Sequence, residues 1–142
     1  MNLCPCGGRG DPAVECSCSA QRLAAFRDKL SRALVDRFDL VLTVPRPRAH
    51  ELEAGPAEAS AAVRDRVVAA RERLRAERPR RTPDANALLS RAVEQLPLSA
   101  RGRARVARVS ATIAALAEAG DVLPEHVAEA LGYRAPRELE RA

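Results

Sequence analysis

Hydrophobic positions fall into two regimes along the chain: one continuous apolar run near residue 40, and four helical stripes beyond residue 60. Phe38, Leu40, Val41, Leu42 and Val44 form the run, which Pro45 closes. Such a run marks a strand covered on both faces. It is the one convincing strand, and its backbone groups need pairing partners that no other segment offers. The expectation is therefore one buried strand belonging to a sheet that these residues do not complete. Ahead of it, Leu23, Phe26 and Leu30 recur at helical spacing over Ala20 to Leu30, and residues 31–37 read as a short turn or helix.

Residues 45–59, PRPRAHELEAGPAEA, hold three prolines and a glycine and predict a linker. Four helices follow. The first is predicted from Ser60, as N-cap, to Arg78, with Val63, Val67, Ala70 and Leu74 inward and Arg64, Arg71, Arg75 and Arg78 on another face. The second runs from about Asp84 to Pro97, with Leu88, Leu89, Val93 and Leu96 inward. The third opens at Ser99 as N-cap and closes on Gly120, with Val106, Val109, Ile113 and Leu116 as its stripe. The fourth begins at Pro124 and ends near Gly132. Together they predict a helical bundle over 60–134, followed by a tail at 135–142.

Composition agrees with a mainly helical chain. The hydrophobic share is 46%, much of it alanine, and aromatics amount to 2%, namely Phe26, Phe38 and Tyr133. The net charge of +5 permits a polyanionic partner, although a solvated basic face is the plainer reading. So few aromatics argue against stacking on bases. No apolar stretch approaches the roughly 20 residues that cross a bilayer. The polar, glycine-rich start MNLCPCGGRGD has no leader pattern, so a cytoplasmic, non-membrane protein with reduced or metal-bound thiols is expected.

All four cysteines lie in residues 1–19, as Cys4-Pro5-Cys6-Gly7-Gly8 and Cys16-Ser17-Cys18. Four thiolates satisfy a tetrahedral Zn²⁺, and the glycines let the backbone turn so that the sulfurs converge. The spacing is CxC rather than the commoner CxxC. Four reduced thiols, or disulfides formed on handling, are the other reading.

Three stretches, MNLCPCGGRGD…CSC, KLSRALVDRFDLVLTV and LPLSARGRARVARVSATIAALA…LPEHVAEALGYR, in this order resemble the YifB/ComM family of magnesium-chelatase-like AAA+ ATPases. The resemblance implies an ATP- and Mg²⁺-dependent motor with an α/β core and a helical lid, assembled as a homo-oligomeric ring. It further implies action on DNA, the ComM type being associated with branch migration. Residues 1–44 then correspond to the end of the AAA+ core and 60–134 to the lid. The chain holds no G-x-x-x-x-G-K-[ST] loop and no apolar run ending in paired carboxylates, so by itself it is expected to be inactive on ATP.

The same resemblance assigns two arginines. Arg37, in Asp36-Arg37-Phe38-Asp39, matches the arginine finger that reaches the γ-phosphate of a neighbouring subunit; pairing with Asp36 or Asp39 to hold the turn is the structural alternative. The family's Ser-Gly-Pro is Ser31-Arg32-Ala33 here, a departure in the same turn. Arg101 matches the lid arginine called sensor 2, which contacts bound nucleotide. A plain exposed arginine is its alternative, and Arg103 is the local competitor. His50 and His126 read as surface residues. The expected function is thus the C-terminal part of a DNA-acting ATPase. The alternative is a non-enzymatic zinc knuckle with a helical bundle that binds DNA or a protein.

Overall fold

The structure is a computed structural model that describes residues 2–134 apart from 12, 30, 46, 56, 57 and 97, and apart from the side chain of Arg32. The predicted 135–142 tail therefore lies outside the described residues, as do Leu30 and Pro97 at two predicted helix ends. The chain is mainly helical and divides into two compact units, Met1–Glu53 and Ala54–Arg134.

In the first unit a loop carrying the cysteines leads into α1 (Ala20–Arg27) and α2 (Arg32–Val35). Ser19 Oγ accepts from Arg22 N at 3.3 Å and Ser31 Oγ from Leu34 N at 3.2 Å, so each helix begins where a hydroxyl can satisfy a free amide. The unit closes with α3 (Ala49–Glu53), a short helix inside the predicted linker. Glu51 Oε2 accepts from Arg48 N at 2.6 Å, half of a capping box, which explains why a proline-rich stretch still nucleates one turn.

The predicted buried strand is corrected. Residues 38–44 form no strand, and Phe38, Leu40, Leu42 and Val44 are 46%, 49%, 65% and 87% exposed. An apolar strand is stable only when neighbouring strands pair its amides and cover its faces, and among the described residues no strand pairs with 38–44.

The second unit holds α4 (Ser60–Ala76), β1 (Arg80–Arg81), α5 (Pro83–Gln95), α6 (Ala100–Leu116), β2 (Asp121–Val122) and α7 (Pro124–Gly132). The two strands pair in parallel, Arg80 with Asp121 and Arg81 with Val122, and Thr82 N donates to Val122 O at 3.1 Å. Strands of two residues carry no alternation, so hydrophobic pattern could not have announced them.

Ala85, Leu89, Val106, Ala111, Ala114, Val122, Val127 and Ala130 form the buried core, with Leu74, Leu88, Val109 and Ile113 packed against it. Several predicted core positions turn outward: Val63, Leu96 and Leu116 are exposed, and beside the predicted Val106 α6 buries Gly102, Ser110, Ala111, Ala114 and Ala115. Alanine lets helices approach closely, so the inward face of α6 is its small face and the larger Val109 and Ile113 sit at its margin. Ser110 stays polar in the core by donating from Oγ to Ala107 O at 3.2 Å.

Helix ends follow local chemistry. Ser99 is the N-cap of α6, its Oγ accepting from Gly102 N at 2.9 Å, and Thr82 caps α5. Ser60, predicted as a cap, is instead the first residue of α4, whose N-cap Ala59 makes no side-chain cap. That helix stops at Ala76 because Arg78 precedes Pro79, which disfavours helical backbone, and Glu77 is already extended. Gly120 does not close α6. Glu118 occupies the left-handed position with φ 59°, Ala119 N donating to Ala114 O at 2.9 Å and Glu118 N to Ala115 O at 3.3 Å. Among the described residues, no helix is long and apolar enough to cross a membrane.

Candidate metal centre and arginine sites

The cysteine loop is shaped by three glycines, two for their backbone conformation and one for close approach. Gly7 N donates to Cys4 O at 3.2 Å across a turn that puts Gly7 at φ 81°. Gly10 takes φ 88°, also left-handed, and both conformations are costly with a Cβ. Gly8 is buried, and a Cβ there would sit 3.1 Å from Glu15 O and 3.1 Å from Val14 Cγ1. The returning chain thus crosses directly over Gly8. Asp11 steers that return: its Oδ1 accepts from Ala13 N at 2.8 Å.

The result brings all four predicted ligands together. The sulfurs of Cys4, Cys6, Cys16 and Cys18 lie within 4.8 Å of one another. Cys4 Sγ is 3.4 Å from Cys6 Sγ, and Cys6 Sγ is 3.7 Å from Cys16 Sγ. A Zn–S bond of about 2.3 Å gives a tetrahedron whose edge is about 3.8 Å. These separations therefore suit one ion. Iron–sulfur clusters, with more than one iron, hold their thiolates further apart.

Electrostatics agree with a cation site. Arg9 N donates to Cys4 Sγ at 3.2 Å, and Cys4 is buried. The Cys6 thiol is drawn down to about 6 by hydrogen bonding from the Gly8 backbone, then from the Cys4 and Cys18 thiols and the Ser17 backbone. A hydrogen bond from the Cys18 backbone pulls Cys16 down, but desolvation and the thiols of Cys6, Cys4 and Cys18 together push it up to about 11. Desolvation, then the Cys6 neighbour, also raises Cys18.

The two arginines stand in separate units. Arg37 is exposed beyond α2, and its Nη1 donates to Ala33 O at 2.9 Å, which seats the guanidinium at the end of that helix. A cation is favoured there by the helix dipole. Arg101 is exposed in the first turn of α6, directly after the Ser99 cap, and Arg103 is exposed beside it. Those two cations sit at the helix end where the dipole disfavours them.

His126 corrects its reading as a surface residue. It is 7% exposed, and its Nδ1 accepts from Leu123 N at 3.1 Å, capping α7 from within. Its signal was the slot: the third helical position after Leu123 is where a side chain reaches back to the N-cap amide. Gly8 was read only as a turn residue, and its close approach to Glu15 depends on a loop path that spacing does not reveal.

Comparison with known proteins adds to this geometry. Residues 1–52 match the profile "Magnesium chelatase, subunit ChlI", and residues 74–134 match "Magnesium chelatase, subunit ChlI C-terminal". The chain is 36% identical to the competence protein ComM of Haemophilus influenzae, over 82% of this chain and 26% of that protein. It is 32% identical to YifB of Escherichia coli, over 83% of this chain and 27% of that one. An uncharacterised protein of Mycobacterium tuberculosis is 34% identical, over 94% of this chain and 30% of its own length. The chain thus spans between a quarter and a third of the relatives it matches.

Proposed function

Since this chain belongs to the magnesium-chelatase family, with ComM and YifB among its homologues, we propose that it is the C-terminal part of a DNA-acting AAA+ ATPase. In that role it supplies an arginine finger, a lid arginine and a zinc knuckle to a ring of identical subunits. The observation that supports this is the order of the two matches: residues 1–52 resemble magnesium chelatase subunit ChlI and precede residues 74–134, which resemble its C-terminal part. The phosphates and Mg²⁺ would be held by residues outside these 142, which contain no phosphate loop.

Bound ATP supplies the phosphoryl group that is transferred to water. Arg37 is the finger. A guanidinium presents a planar fork of fixed charge, and its value is greatest where the phosphoryl oxygens gain charge in the transition state. Its bond to Ala33 uses one of five N–H donors, and the group is exposed. Arg101 acts on the nucleotide of its own subunit, the Ser99 cap fixing the turn from which it projects. Cys4, Cys6, Cys16 and Cys18 hold one Zn²⁺, which orders a loop that has little apolar core of its own.

The test mixes two inactive proteins of relative length, one lacking the phosphate-loop lysine and one carrying Arg37→Ala. A mixed ring can set an intact Arg37 beside an intact phosphate loop, so ATP turnover returns. Mixed rings that form without activity would refute the finger and leave Arg37 as a residue that ties down the end of α2.

A further inference from the structure

The α4 helix carries five arginines, and they divide sharply by partner. Arg66 grips Glu58 through Nη1 at 2.6 Å and Nη2 at 3.1 Å, and Arg73 pairs with Glu118 at 2.6 Å. Arg64, Arg71 and Arg75 are exposed and make no hydrogen bond or ion pair with any described residue. At about 100° per residue these three fall within about 40° of one another around the helix axis, over a rise of about 16 Å. Asp65 and Glu72 lie about 80–100° away around the same axis, and Val67, Ala70 and Leu74 turn to the core on the other side. Arg71 and Arg75 stand four residues apart, a like-charge spacing that costs a helix stability.

We propose that this stripe of Arg64, Arg71 and Arg75 binds the phosphate backbone of double-stranded DNA, an inference that rests on the proposed action of the protein on DNA. Duplex DNA carries a phosphate for every ~3.4 Å of helix axis on each strand, so a stripe of about 16 Å is long enough to reach several of them. The cations are arginines, whose forks match phosphate oxygens bidentately. No aromatic residue occurs on α4, and the single one in this unit, Tyr133, donates its hydroxyl to Glu129 at 3.0 Å. Without a stacking platform the stripe has no purchase on unpaired bases, so it favours duplex over single strands and is indifferent to sequence. The stripe shares no residue with the proposed ATP site, which uses Arg37 and Arg101.

The experiment measures binding of a fluorescent duplex of about 30 base pairs to the zinc-loaded 142-residue chain at several salt concentrations. Each arginine on a phosphate adds about 0.9 to the slope of log affinity against log salt. The triple variant Arg64→Ala, Arg71→Ala, Arg75→Ala should therefore lose a slope of about 2.7, equal to about 40-fold of the affinity change between about 50 and 200 mM salt. Arg91→Ala, an exposed arginine on α5, should leave the slope nearly unchanged. Circular dichroism of the triple variant checks that α4 still forms.

A folded triple variant with an unaltered slope overturns the stripe. Equal affinity for a single-stranded oligonucleotide overturns the duplex preference. Stripe-dependent binding to phosphatidylserine vesicles but not to DNA would move the surface to membranes. DNA action itself is judged separately, by whether duplex DNA changes ATP turnover of the assembled ring. That reading can stand when the stripe fails.

Discussion

Arg73 and Glu118 meet at 2.6 Å, Nη2 to Oε1, while Arg73 Nη1 donates to Ala115 O at 3.1 Å. One guanidinium thus binds a carbonyl in the last turn of α6 and the side chain of the residue that ends it. A cation belongs there, because the carbonyl end of a helix carries partial negative charge. Glu118 does so from a left-handed backbone, which costs a non-glycine residue about 1–2 kcal/mol.

Two substitutions at this position separate backbone from side chain. Glu118→Ala loses the ion pair and keeps the strain; Glu118→Gly loses the pair and relieves it. The pair is largely exposed and contributes no more than about 1 kcal/mol. Urea unfolding should find the glycine variant more stable than the alanine variant by about 1 kcal/mol. Equal stabilities would mean that the left-handed turn carries no strain.

Zinc content gives a second expectation. Chain purified under reducing conditions should hold about one zinc per molecule, and Cys4→Ser with Cys6→Ser should release it without melting the Ala54–Arg134 unit. Binding must also expel protons. Cys16, near 11, and Cys18, raised above its ordinary range, are protonated at neutral pH, so each zinc bound should release at least two protons. Affinity accordingly rises with pH, because thiolates and not thiols are ligands. Calorimetry in buffers of different ionisation enthalpy reads the proton count, and zero release would contradict thiolate ligation.

Gly8→Ala tests how the knuckle is held. The added methyl meets backbone at Glu15 and must push the segment Cys16–Cys18 away from Cys4 and Cys6. Zinc affinity should fall about 10–100-fold, the range seen when supporting residues of a metal site change. A competition titration against a chelator of known affinity decides it. Unchanged affinity would mean the loop gives way without moving the sulfurs.

Arg37 and Arg101 should fail differently in a ring-forming protein that contains this chain. Arg37→Ala should lower turnover by about 10³-fold or more with nucleotide affinity nearly intact, and Arg37→Lys should rescue poorly. Arg101→Ala should weaken nucleotide binding within the same subunit. Steady-state kinetics with a fluorescent nucleotide titration separates the two patterns, and identical losses from both would remove the distinction between finger and lid arginine.

What could be read ahead of the structure depended on range. The caps at Ser99 and near Pro124 are local chemistry, and they stand where the sequence places them. The four cysteines converge as their clustering implied, since 15 residues and three glycines leave little other use for them. Glu118 was overlooked because an ordinary glycine two residues on, Gly120, was the better candidate by propensity alone, and only the Arg73 contact from α4 explains the choice. His126 was overlooked because a histidine between glutamate and valine carries no sign of burial. Leu116 was overvalued for a related reason: a stripe of large residues outweighs a stripe of small ones in any hydrophobicity pattern, yet α6 packs largely through its small face.

That small face sets what the bundle can tolerate. Ala85, Ala111, Ala114, Ala115 and Ala130 are almost fully buried. An alanine has nearly nothing to delete, so the familiar damage of large-to-small change has little purchase here. Enlargement is the hazard, since an added isopropyl group has no void to enter and must push neighbouring helices apart. The buried small residues of α6 thus limit how its neighbours can pack, and the bearing of Ser99 and Arg101 at the mouth of that helix depends on their staying small.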